Sequence, residues 1–239
     1  MSGELDFFPR VMSLAVHELR TPVTVVSGYL RMLLRDQAGP LNDKQRKMLE
    51  EADRSCARIG ALVSEMSDLG KLESGALTPT GPEFDLAALI NEVASGMHEG
   101  EDRGIGLETR GIDRPVMVAG DRARISTALQ ALMHAALRER GQPGVIVVEC
   151  TTSTSGDQSW AIVSIAAEAD LPSIAAGGND GAAVFDEWRG GLGLALPVGR
   201  RVIEAHGGTV WSAPGETPRA GSALRLPLSP RVNGSSDAT

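Results

Sequence analysis

His17 and Glu18 stand side by side in the stretch MSLAVHELRTPVTVVSGYLRML, residues 12–33, and this pair is suited to nucleophilic chemistry. An imidazole with an ordinary pKa of about 6.5 keeps one ring nitrogen free near neutral pH. A neighbouring carboxylate can hold or take the proton of the other nitrogen. The surrounding residues say how the pair is presented. Met12, Val16, Leu19, Val23, Val26, Leu30 and Leu33 recur at alternating steps of four and three, the seam of a helix packing on other helices at a shallow angle. His17 follows the seam residue Val16 and is therefore turned about 100° away from it, toward solvent. Pro22 lies inside the helical pattern, where it removes a backbone donor and favours a local bend. Taken alone, such a pair is also what the surface of an ordinary bundle helix carries.

Helices must hold this pair in place. The first is expected to end near Asp36, because Gln37-Ala38-Gly39-Pro40 combines a permissive Gly with a Pro that blocks continuation. Asn42 then offers an N-cap, with Asp43 in the first turn of a second helix. Met48, Ala52, Ser55, Ile59, Leu62, Met66 and Leu69 repeat the four-three spacing along it. Two antiparallel helices cannot bury both apolar faces by themselves, so a two-fold homodimer forming a four-helix bundle is expected through residues 10–72.

Beyond a Gly/Pro/Ser/Thr-rich linker, Lys71–Pro82, the pattern changes to short strands alternating with helices. Helices are expected at Phe84–Gly96, Arg122–Arg138 and Leu192–His206, the last closed by Gly207-Gly208. Strands are expected at Val116–Ala119, Val145–Thr151, Trp160–Ala167, Thr209–Ser212 and Ser222–Leu226. The polar tail from Ser229 reads as disordered. Apolar content of 42% and charged content of 23% over 239 residues suit a soluble globular protein of one or two domains. Aromatic content of 3% requires an aliphatic core. A net charge of −8 argues against a nucleic-acid surface, which needs clustered Lys and Arg.

Cys56 and Cys150 have neither metal-ligand spacing nor a disulfide framework. No apolar run reaches the roughly 20 residues that span a membrane, and the N-terminus lacks signal-peptide architecture, so a cytoplasmic chain without membrane insertion is expected. Only about ten residues precede the first helix, and no sensor domain is expected among them.

The string His17-Glu18-Leu19-Arg20-Thr21-Pro22 resembles the phosphoacceptor box of the two-component sensor histidine kinases. The second half is similar to the ATP-binding domain of the same family. Phe84-Asp85-Leu86 resembles its entry, and Gly120-Asp121 with Arg124-Ile125 the start of its Asn-bearing helix. Val184-Phe185-Asp186-Glu187-Trp188 resembles its Phe motif. Gly191-Leu192-Gly193-Leu194-Ala195 through Glu204-Ala205-His206-Gly207-Gly208 resembles its second Gly-rich box. The resemblance covers about residues 8–228.

It implies an α+β chain: a helical hairpin dimerising into a four-helix bundle, then an α/β sandwich of the histidine kinase ATP-binding type. The boundaries expected are 1–72 for the dimerisation and phosphotransfer hairpin, 73–82 for the linker, 83–230 for the ATPase-like domain and 231–239 for the tail.

The family pattern breaks where nucleotide should bind. Aligned on Asp121 and Leu129, the two Asn positions that would hold Mg²⁺ and phosphate are Ala131 and Ala135, and no Asn occurs between Asn91 and Asn179. The Asp expected near Ala167 to accept from adenine is missing, with Glu168 and Asp170 as out-of-register neighbours. No Gly occurs between Gly156 and Gly177, so the first Gly-rich turn is missing too. His134 neighbours Ala135 but is offset by about 100° and is a poor Mg²⁺ ligand. It reads as a helix-surface residue, His98 as a surface residue and His206 as a helix-end cap. Gly191 and Gly193 remain as residues that could offer amides to phosphate. Pro197 points to a kink in the helix after them, or to its late start. No metal site is expected, and ATP with Mg²⁺ is not assigned as a cofactor.

The expected function is therefore phosphotransfer or phosphatase activity without autokinase activity. His17 would exchange phosphoryl groups with the receiver-domain aspartate of a response regulator, or take one from a partner histidine kinase. Glu18 would orient or deprotonate the imidazole, and Arg20 would be a phosphate partner. Thr21, one turn on, would position water as a polar residue does there in the family. The alternatives are an ATP-dependent autokinase with an atypical site and a non-enzymatic docking scaffold.

Overall fold

The computed structural model describes residues 7–74, 80–177, 185–188, 191–212 and 221–229. Of the expected disordered tail only Ser229 is among them, and it is ordered, its N–H donating to the Met117 carbonyl at 3.0 Å; the rest lies outside. The chain divides into two compact units, Met1–Leu77 and Thr78–Thr239.

The first unit is a helical hairpin of α1 (Phe7–Leu34) and α2 (Asp43–Glu73). Its turn is set by Asp36 (φ 56°) and Gly39 (φ 111°). Arg46 clamps it, donating to the Leu34 carbonyl and to both Asp36 carboxylate oxygens at 2.9 Å. Asn42 and Gln45 form a reciprocal capping box that satisfies two orphan amides at the start of α2. Val16, Leu30, Cys56 and Val63 are buried between the helices. Ser27 Oγ and Cys56 Sγ meet at 3.1 Å.

One partner helix covers only a narrow stripe, so part of each expected seam stays open in the chain. Leu19 and Val26 on α1, and Met48 and Ile59 on α2, are 43%, 50%, 65% and 47% exposed.

In the second unit a five-stranded sheet runs in the order β2 (Ile105–Arg110), β4 (Gly144–Ser155), β5 (Gln158–Ala167), β7 (Gly221–Pro227), β6 (Thr209–Ser212). The β2–β4 pair is parallel and the other pairs are antiparallel. A small ribbon pairs β1 (Glu83–Asp85) with β3 (Met117–Ala119). Among the described residues, four α-helices accompany the sheet: α3 (Leu86–Ser95), α4 (Arg122–Glu139), α5 (Leu171–Gly177) and α6 (Ala195–Ala205).

Two helix boundaries differ from expectation for local reasons. The expected Phe84–Gly96 helix starts at Leu86, because Glu83–Asp85 pairs with β3 and Asp85 caps the helix, accepting from Ala87 N–H at 3.0 Å and Val116 N–H at 2.9 Å. The expected Leu192–His206 helix starts at Ala195, because Gly191 and Gly193 adopt φ of 60° and 65°. Pro197 thereby falls in the first turn, where its missing donor costs nothing. Strand β2 and helix α5 are additional to the expected elements.

The pleat sorts the sheet into two faces. Ile146, Val148, Ile165 and Leu224 are fully buried on the face under the long helices. Gly199 brings α6 against α4, where an added Cβ would lie 3.3 Å from Ala128 Cα. Val147, Ala166, Ala223 and Trp211 form the opposite face, and Leu171 and Ile174 of α5 pack on them. Trp211 Nε1 donates to the Ile174 carbonyl at 2.7 Å. An added Cβ at Gly221 would meet Ile174 Cδ1 at 2.5 Å and Ala166 Cβ at 3.1 Å, so a side chain there would make the Ile174 tip shift. Burying a side chain such as Ile174 is worth about 1.5–3 kcal/mol.

Buried Cys150 has its thiol pushed up to about 11 by desolvation, with the Asp85 carboxylate adding to the effect.

His206 is the helix-end cap expected, and it does more. Its Nε2 accepts from the Asp121 N–H at 2.9 Å, while Nδ1 lies 2.7 Å from the Val202 carbonyl and must carry the proton. The ring therefore ties the end of α6 to the start of α4, where Asp121 caps the helix through the Arg124 N–H.

Candidate functional site

His17 projects from the middle of α1 with its side chain 79% exposed. Its Nδ1 lies 3.6 Å from Glu18 Oε1, within ion-pairing range, and the Glu18 side chain is 71% exposed. The carboxylate lies on the Nδ1 side of the ring, so Nε2 is the nitrogen turned from it. Thr21 is exposed one turn on, on the same face. Arg20 is exposed too, but it borders a different feature: a groove of about 600 Å³ between α1 and α2 that also includes Thr24, Ser27 and Arg31.

The backbone here carries a local defect, since Pro22 offers no N–H to the Glu18 carbonyl. Thr24 Oγ1 donates to the Arg20 carbonyl at 2.8 Å two residues later. Three of the four candidate residues thus share the exposed surface around the imidazole, and Arg20 is set toward the groove.

The second unit presents a poor fit to Mg·ATP. Ala131 and Ala135 are 5% and 0% exposed, so buried methyl groups stand where oxygen ligands are needed. Glu168 is 72% exposed and held by Arg110 at 2.9 Å. A nucleotide touching both α4 and the chain after β5 needs them on one side of the sheet, yet α5 packs on the opposite face. Among the described residues, no cluster of three or more His, Cys, Asp or Glu is arranged for a metal ion. At the glycine turn, Leu194 provides no side-chain cap for α6, and Pro197 subtracts an amide from its first turn.

His134 lies on the helix surface as expected, 32% exposed, and is paired there, with Nδ1 2.6 Å from Glu99 Oε2. Its spacing of four from Arg138, which binds the same carboxylate, was the available signal. His98 is exposed as expected and pairs with Glu101 at 2.9 Å.

The structure thus joins a helical hairpin that exposes a histidine beside a carboxylate to an α/β sheet domain. Residues 10–75 match the His Kinase A (phospho-acceptor) domain. The chain is 28% identical over 209 residues to the signal transduction histidine-protein kinase BarA of Escherichia coli K12, covering 81% of this chain and 22% of that protein. It is 28% identical over 204 residues to the cell-division control histidine kinase PdhS of Brucella suis, covering 80% and 20%. It therefore spans about a fifth of the length of these curated relatives.

Full-length ShkA, solved in complex with AMPPNP, has a similar fold, with a TM-score of 0.67 at 21% identity over 92% of this chain and 46% of that one. The Acinetobacter baumannii histidine kinase AdeS matches with a TM-score of 0.51 at 21% identity, over 89% and 97%. Residues 10–75 thus carry a His Kinase A phospho-acceptor domain, and the chain as a whole is similar to two-component sensor histidine kinases.

Proposed function

We propose that this chain exchanges phosphoryl groups between His17 and the receiver-domain aspartate of a response regulator, and that it has lost the autokinase step. The observation that carries the reading is the 79% exposed imidazole with a carboxylate 3.6 Å from Nδ1. Nε2 attacks the phosphorus of an aspartyl phosphate, a P–N bond forms as the P–O bond to the aspartate breaks, and the Nδ1 proton stays beside Glu18. Transfer needs in-line positioning and charge neutralisation. Arg20 borders the neighbouring groove, and its long exposed side chain supplies the cation by swinging toward the imidazole. Thr21 positions water when the phosphoryl group goes to solvent instead.

Loss of autokinase activity is supported by the buried methyls of Ala131 and Ala135 and by the diversion of α5 to the far face. Homodimerisation is supported by an apolar groove of about 380 Å³ on the hairpin, bordered by Val26, Leu30, Ala52 and Ile59. Among the described residues no helix is long and apolar enough to cross a membrane, and a cytoplasmic location is part of this proposal.

Incubation with a phosphorylated cognate regulator is the test. The expected result is acid-labile label on His17 or faster loss of the regulator's phosphate. His17→Ala should abolish transfer, and Thr21→Ala should mainly slow hydrolysis. Identical behaviour of wild type and His17→Ala would leave a docking scaffold. Low-micromolar, Mg²⁺-dependent ATP binding by calorimetry would restore the autokinase.

A further inference from the structure

Strand β2 accompanies β4 only as far as Glu149, so the next six residues of β4 pair with β5 alone. The arm they form closes at the Ser155–Gln158 pair, leaving Gly156 (φ 60°) and Asp157 as a two-residue turn. The chain leaving β7 joins this arm to the small β1–β3 ribbon. Leu228 N–H donates to the Ser159 carbonyl at 2.9 Å, and Ser229 N–H to the Met117 carbonyl at 3.0 Å. A cavity of about 770 Å³ lies among the three segments. That is within the range of about 300–1,000 Å³ common to small-molecule sites.

Its lining is of two kinds. Val116, Met117 and Leu228 give it an apolar wall. Thr152, Thr154, Ser159 and Ser229 bring hydroxyls, and Asp157 a carboxylate. The Thr154 and Ser159 hydroxyls meet at 3.1 Å. Asp157 is exposed and carries no ion pair among the described residues. Ser229 Oγ is buried without a hydrogen-bond partner, a state that a polar group held in the cavity would relieve. None of the described residues bordering the cavity is Lys, Arg or His, and the chain carries a net charge of −8. An anion entering would meet only like charge, whereas a cation meets a carboxylate that nothing neutralises.

We propose that this cavity binds a hydroxylated monoamine of about the size of a sugar ring, an amino sugar in chemical class. The ammonium pairs with Asp157, the ring hydroxyls bond to the Thr and Ser side chains, and the C–H face lies on Met117 and Leu228. A molecule seated there ties the β4–β5 arm, β3 and the end of β7 together. The site plays no part in phosphotransfer at His17.

Calorimetry and thermal melts of the full chain would use glucosamine and, as a neutral control of nearly the same shape, glucose. The measurements belong at about pH 6, below the ordinary range of an amine. Glucosamine should bind at least about tenfold more tightly than glucose, raise the melting temperature and weaken as salt is added. Asp157→Asn should reduce glucosamine to the level of glucose. Thr152→Val, which keeps the side-chain shape, should weaken both sugars. Both positions are exposed, and melts without sugar establish that the variants fold. Glucose binding as tightly as glucosamine, an affinity unchanged in Asp157→Asn, or no binding of either sugar at about 10 mM overturns the proposal. Each of these results leaves the reading of His17 untouched.

Discussion

His206→Ala removes a ring that joins the end of α6 to the start of α4, and its cost can be worked from the contacts. The Asp121 N–H loses its acceptor at 2.9 Å. Asp121 is only partly buried, so its unpaired N–H costs toward the low end of the roughly 1–3 kcal/mol for a buried donor. The Val202 carbonyl keeps the His206 backbone N–H at 3.2 Å, so only one polar group is orphaned. The ring is 8% exposed and its removal leaves a cavity, which brings the sum to about 3 kcal/mol. At about 2–4 °C per kcal/mol for a unit of this size, the melting temperature should fall by roughly 6–12 °C.

Circular dichroism melts of the full chain would measure this, with His98→Ala as an exposed control expected to change stability by less than about 0.5 kcal/mol. His206→Gln should recover part of the loss, since its amide oxygen can accept from Asp121. Gly120→Ala should be at least as damaging, because the new Cβ would sit 2.2 Å from His206 Cδ2 at a φ of 145°. A His206→Ala protein melting within about 2 °C of wild type would refute the bridging role.

Two further outcomes concern the hairpin and the response to acid. Ile59→Asp places a charge on an apolar surface that is 47% exposed in the single chain, so it should convert a dimer to a monomer in sedimentation while leaving the helices formed. A wild-type monomer at micromolar concentration would defeat the bundle proposal. For Glu204, burial raises the carboxyl, but hydrogen bonds from Arg200 and Arg201 outweigh it and hold the group below its ordinary value of 4.5. Its stabilising contribution is then complete above that value and disappears as pH falls through the lowered one. The melting-temperature gap between wild type and Glu204→Gln should shrink as pH drops from about 6 to about 3; a gap that widened would reverse the assignment.

The phosphoacceptor box, the hairpin with its Asn42 cap and the absent Asn ligands on α4 were legible in the sequence. Each depends on residue identity at short spacing, and helical periodicity carries such information along the chain itself. The start of α6 was only half legible: Pro197 signalled a late start, but the positive φ of Gly191 and Gly193 belongs to the folded turn.

What only the tertiary structure decided involves partners far apart in sequence. Helix α5 crosses to the far face of the sheet because Trp211, Ala166 and Gly221 make a seat for Ile174 there. Glu99 reaches His134 across 35 residues, and His206 reaches Asp121 across 85. No local pattern encodes such pairings, because a carboxylate or an imidazole reads the same in sequence whether folding leaves it in water or brings it a partner.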